Sequence, residues 1–136
     1  MAGSVNKAAP KIGDEMADGT IYAGISPDTN TPMYATPKDA PWPYYTFNEA
    51  AEYAKKLDAH GHHDFRVPSQ SELDVLYQNR DKGKLKGTFN ETGSEPAGWY
   101  WSSSAVYCFH AWDQRFSDGR KGHHSGNIES SLRCVR

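Results

Sequence analysis

Cysteine is scarce in this sequence: Cys108 and Cys134 are the only two among 136 residues. Two are too few for a disulfide scaffold, and they are not spaced as a metal-binding knuckle. Long apolar runs are missing as well, since no stretch approaches the roughly 18 apolar residues of a membrane span. The opening MAGSVNKAAPKIGDEM lacks the apolar segment of a secretory signal. The expected location is therefore cytoplasmic, virion-associated or reached by a non-Sec export route. An excess of one charge is lacking too: 15 Lys and Arg face 17 Asp and Glu, a net charge of -2. That balance gives no reason to expect a nucleic-acid partner. Only the end is mildly basic, with Arg115, Arg120, Lys121, Arg133 and Arg136 against Asp118 and Glu129.

What is present is aromatic. Apolar residues make up a modest 37%, but four Trp, eight Tyr and five Phe bury large areas per residue and make a core feasible on a short chain. One domain is expected over residues 13–136, preceded by a flexible tether at 1–12 that is small, polar and without periodicity. Gly19 to Ile25 alternates as a strand, SPDTNT at 26–31 is a turn, and Pro32 to Ala35 returns, which predicts a hairpin. Thr46 with Glu49, and Ser69 with Glu72, form two capping boxes. The first predicts a helix carrying Phe47, Ala50, Ala54 and Leu57 and ended by Gly61; the second predicts a helix from about Gln70 to Asn79. After a Gly- and Lys-rich loop from Asp81 to Gly98 the chain turns strand-like. Trp99 and Trp101 share a face, Trp112, Gln114 and Phe116 alternate with polar neighbours, and Leu132 to Val135 closes the sheet. Trp99, Trp101, Phe116 and Leu132 are expected core residues. The fold class is α+β, two helices packed on a mainly antiparallel sheet.

Four runs occur in order: GHHDFRVPS at 61–69, WYWSSS at 99–104, QRFSDG at 114–119 and a terminal LRCVR. Together they resemble the C-terminal domain family of Legionella collagen-like adhesins, over roughly residues 16–136. The resemblance implies a C-type-lectin-like fold, related to formylglycine-generating enzymes and to the variable proteins of diversity-generating retroelements. Two stretches without strand or helix period, Ala105 to His110 and Arg120 to Ile128, are similar to the diversified positions of those proteins. In them, adenine-specific randomisation of Asn-type codons yields residues such as Tyr, Cys, Phe, His, Arg, Gly and Ser, a set that fits nearly all of both stretches but not Lys121.

Local chemistry points away from catalysis. The cluster His60, His62, His63 and Asp64 has metal-ligand types, yet His60 falls in the last expected helical turn and His62 and His63 point to opposite sides of an extended link. His123 and His124 have no nearby further ligand in sequence. The runs that hold calcium and sugar in lectins are represented only by Glu95-Pro96-Ala97 and Ala111-Trp112-Asp113, each short of oxygens, with Asp113 and Asp118 as the remaining contributors. Copper oxidation of the formylglycine type needs two converging thiolates, whereas Cys134 shares a strand face with Leu132 and resembles a buried hydrophobe. A Cys108–Cys134 disulfide would close a loop of about 25 residues and add about 3 kcal/mol, but the absent signal argues against an oxidising compartment. Ser102, Ser103 and Ser104 lack a nucleophile elbow and are expected to bond local backbone.

These readings predict a non-catalytic ligand-binding module for a receptor or glycan, with no metal and no cofactor. Its surface is drawn from Val106, Tyr107, Phe109, His110, Trp112, Arg120, His123, His124 and Asn127, and its partner is a protein or glycan on a cell surface. The alternative is a structural subunit of a phage-like particle, a decoration or tail-tip protein. No oligomeric state follows from the sequence.

Overall fold

The computed structural model describes residues 9–93 and 97–136. Strands β1 (Ile21–Ile25) and β2 (Pro32–Ala35) come first, then helices α1 (Phe47–Lys56) and α2 (Gln70–Gln78). A 3-10 turn at Gly83–Leu85 follows, and β3 (Trp99–Ala105), β4 (His110–Arg115) and β5 (Lys121–Ser125) complete the order. β1 and β2 pair as an antiparallel hairpin, and β3, β4 and β5 form a second antiparallel sheet with β4 in the middle. The fold is α+β.

Both capping boxes form. The Thr46 hydroxyl accepts from the Glu49 N–H at 3.2 Å while the Glu49 carboxylate accepts from the Thr46 N–H at 2.9 Å; Ser69 and Glu72 repeat the exchange at 3.3 and 3.0 Å. Four orphan donors of the two helix starts are thus satisfied locally. The end of α1 differs from expectation. The helix stops at Lys56, and Leu57 turns extended at ψ 120 to pack against the core. His60 therefore lies outside the helix, at φ 54, and Gly61 at φ 76 completes a tight turn in which Ala59 and His62 exchange backbone bonds. The apolar contact of Leu57 outweighs the local signal that placed the helix end at Gly61.

Strand β3 is covered on both faces. Tyr100 joins Leu73 and Leu76 of α2, Ile21 and Met33 of the hairpin, Phe89 and Phe116 in one core cluster. Its neighbour Trp101 joins Ala50 and Ala54 of α1, Phe65, Val67, Ala111 and Leu132 in another. Successive strand residues point to opposite faces, so α1 and α2 lie on opposite sides of the sheet. Trp99, Trp101, Phe116 and Leu132 are all buried.

The terminal segment ties these layers together through single bridges instead of the continuous closing strand expected at Leu132 to Val135. Tyr34 and Arg136 exchange backbone bonds at 2.8 Å, Arg66 and Val135 at 2.8 and 2.9 Å, and Ser131 bonds both Trp99 and Trp101. Val135 bridges Ala35 of β2 on one side and Arg66 on the other, while Ser131 meets β3, so the segment divides its bonds among several neighbours. Of the expected tether, residues 1–8 lie outside the described residues; Ala9, Pro10 and Lys11 are exposed, and Ile12 already packs against the α2-side core.

Glu72 also anchors α2 to the hairpin. Its fully buried carboxylate pairs with Arg66 and accepts a 2.5 Å bond from the Ser26 hydroxyl. Burial alone would raise its pKa, but the bonds from Arg66, Ser26 and the Ser69 N–H outweigh burial and hold it at about 2, below the ordinary 4.5. A folded pKa below the unfolded one stabilises at pH above the unfolded value and loses that contribution as pH falls through the folded value. The melting-temperature difference between wild type and Glu72→Gln is therefore expected to be constant above about pH 5 and to close progressively toward pH 2. A gap that persists unchanged at pH 2 would contradict this assignment.

Candidate functional site

β3 and β4 are joined by Tyr107-Cys108-Phe109-His110, where the His110 N–H bonds the Tyr107 carbonyl at 3.1 Å and the Val106 N–H bonds the His110 carbonyl at 2.7 Å. Cys108 and Phe109 both have positive φ, 54 and 61. Such a two-residue connection matches the twist of an antiparallel pair, but it favours Asn and Gly, because other side chains are strained in the left-handed region. Here the turn holds a Phe that is 92% exposed beside a Tyr that is 71% exposed.

Beyond the turn, pairing sorts the expected surface by face. His110 lies opposite Ser125 and Trp112 opposite His123, whereas Ala111 lies opposite His124 and Asp113 opposite Gly122. His110, Trp112 and His123 thus share one face, and His123 is its hub. Its ring centre is 5.2 Å from that of His110, 5.2 Å from Trp112 in an edge-on arrangement and 6.2 Å from Tyr107.

His124 lies on the opposite face. It bonds the buried Asp113 carboxylate and meets the Trp99 ring edge-on at 5.1 Å. Trp99 also carries the Arg115 guanidinium 5.5 Å from its ring centre, and Arg115, Arg120 and Lys121 join His124 around a groove of about 500 Å³. The expected residues Arg120 and His124 belong to this cationic groove and not to the aromatic patch. A second depression, of about 540 Å³, is lined by Val106, Phe109, His110 and Asn127 together with Phe47 and Asn48. The sequence reading missed Phe47 and Asn48. They reach the site because the Phe47 N–H bonds the Gly126 carbonyl at 3.0 Å, a pairing across the chain that no local pattern announces.

Within the stretch Arg120 to Ile128, which lacks a strand period, Lys121–Ser125 is the edge strand β5. Its residues are exposed or half-buried on both faces, so burial imposes no period of two on their types.

Other residues weighed in the sequence are occupied structurally. His60 contacts the Asp18 carbonyl at 3.0 Å, His62 the Asp18 carboxylate at 2.8 Å, and Asp64 pairs with Arg136 at 2.8 Å. Asp118 is held by Arg115 and by the Arg120 N–H, which keep its carboxyl down at about 2. Glu95 and Pro96 lie outside the described residues. Cys108 is exposed and Cys134 buried, both free, and burial pushes the Cys134 thiol up to about 12. The serines bond backbone: Ser102 gives its hydroxyl to the Trp112 carbonyl at 2.7 Å, and Ser104 accepts from the Gln70 N–H at 2.9 Å. No helix among the described residues is long and apolar enough to cross a membrane.

Residues 19–136 match the family model described as the Lcl C-terminal domain. Comparison with curated proteins gave no match.

Proposed function

Because the chain belongs to the Lcl C-terminal domain family, an adhesin-type family, we propose that it is a non-catalytic recognition module whose β3–β4 turn and β4–β5 face contact a protein or glycan on a cell surface. One observation carries this reading: Phe109 is 92% exposed on a turn where it and Cys108 both hold positive φ. Exposed aromatics are the usual anchors of interfaces, and residues kept in costly backbone regions are characteristic of functional surfaces. The rigid sheet beneath lowers the ordering cost of binding. A C-type-lectin-like arrangement is supported by the pairing of the first hairpin with the chain end, Tyr34 with Arg136. Retroelement diversification is supported by the position of the two irregular stretches, which supply the turn and the edge strand while the core clusters lie outside them. A near-copy of that coding segment beside a reverse transcriptase gene is its expected genomic sign.

The test follows from the turn. The double substitution Cys108→Asn with Phe109→Gly places preferred residues at both positive-φ positions and is expected to stabilise the domain by about 1–2 kcal/mol. The same change removes the exposed ring and is expected to weaken binding to intact cells and to arrayed glycans at least tenfold, about 1.4 kcal/mol or more. Chemical denaturation and binding are measured on the same samples. A variant that binds as well as wild type would sink the proposal.

A further inference from the structure

We propose that His110 and His123 form a two-imidazole chelate for a late first-row divalent transition ion. Their Nδ1 atoms lie 3.0 Å apart, and neither ring is buried. Two imidazoles on one ion, each bond about 2.0–2.1 Å, place their nitrogens roughly 2.9 Å apart at a right angle and roughly 3.4 Å apart at a tetrahedral one. The observed separation falls inside that interval. Backbone sets the spacing, because the His110–Ser125 and Trp112–His123 pairs of the ladder make the two histidines diagonal neighbours on one face. Trp112 and Tyr107 flank the His123 ring and restrict where it swings.

Without metal the contact is a hydrogen bond, in which one Nδ1 carries the proton and the other accepts it. On loading, the donor ring transfers that proton through solvent to its own Nε2. Both Nδ1 lone pairs then face the ion, and two neutral rings release no net proton. Imidazole selects copper, nickel or zinc over calcium or magnesium, which require oxygen ligands, and the affinity order of divalent ions places copper(II) first. Among the described residues no group of three or more His, Cys, Asp or Glu is placed to hold an ion. The chelate therefore fills two coordination positions and leaves the others to solvent or to a donor brought by a partner. This departs from the sequence expectation of no metal, which considered His123 only beside His124; strand pairing brings in His110. It does not rest on the recognition reading.

The test is a titration of the full chain with copper(II) sulfate at neutral pH, followed by tryptophan fluorescence quenching, with paramagnetic broadening of amide resonances recorded on the same protein. Saturable binding is expected, with broadening centred on residues 110 and 121–125. Loss of a group that merely orients a ligand already costs about 10–100-fold in metal affinity. Accordingly His110→Gln and His123→Gln are each expected to weaken binding at least tenfold, with circular dichroism unchanged, while His62→Gln leaves it within threefold. A loss below tenfold in either ring variant, or broadening centred on His60 to His63, overturns the proposal.

Discussion

Asp39→Ala is expected to destabilise the protein by about 3–5 kcal/mol, because it strands a buried charge. Arg133 has no exposed surface, and its guanidinium meets the Asp39 carboxylate at 2.8 and 3.0 Å. Its remaining donors go to the Thr36 carbonyl at 3.1 Å, to the Thr88 hydroxyl at 3.2 Å and to the Thr88 carbonyl, and its Cζ lies 4.0 Å from the Phe89 ring centre. Asp39 in turn accepts a 2.6 Å bond from the buried Tyr100 hydroxyl. Removing the carboxylate leaves the cation without its ion-pair partner and the phenol without its acceptor. Arg133→Met removes the charge but keeps much of the volume, so it is expected to cost less than Asp39→Ala. If the burden is the stranded charge, combining the two changes restores part of what Asp39→Ala loses. Urea unfolding of the two single variants and the double variant measures this; strictly additive losses would refute the network account.

The second large effect separates scaffold from display surface. Trp101→Ala is expected to cost about 3–5 kcal/mol, much of the roughly 5–15 kcal/mol that holds a domain together. The indole is fully buried, edge-on to Phe47 at 5.9 Å, and its N–H gives a 2.7 Å bond to the Tyr45 carbonyl. Tyr107→Ala and Phe109→Ala, by contrast, remove exposed rings and are expected to shift stability by only about 0.5 kcal/mol. His124→Ala falls between, since its ring covers Trp99 and bonds Asp113. Thermal unfolding of the four variants decides the matter. Equal losses at Trp101 and Phe109 would mean that the turn is part of the core.

Features written within a few residues were legible in the sequence. Thr46 with Glu49 and Ser69 with Glu72 announce both helix starts because a capping box closes over three residues. The aromatic core at Trp99, Trp101 and Phe116 was legible because these rings fall at the two-residue spacing of a strand face. What the sequence hid depends on distant contacts. Lys121 to Ser125 has no strand period, because an edge strand with neither face buried is free in its residue types. The end of α1 was displaced by the packing of Leu57. In sequence Arg133 only added to a mildly basic end, and only the fold reveals Asp39, Thr36 and Thr88 around it. The nine expected surface residues do lie outside the core clusters, but strand alternation divides His124 from His123 although they are neighbours in sequence.

Ser131 bonds backbone groups of both Trp99 and Trp101, so the chain from Trp101 to Ser131 is an excursion whose two ends are pinned side by side. For a flexible loop with fixed ends, the entropy of closure grows only with the logarithm of its length, about 0.6 kcal/mol for each doubling. Extra residues inserted at the Cys108–Phe109 tip would lengthen the excursion without moving its anchors. In polymer terms the domain is a clasp holding an extensible loop, and lengthening what it presents costs little stability.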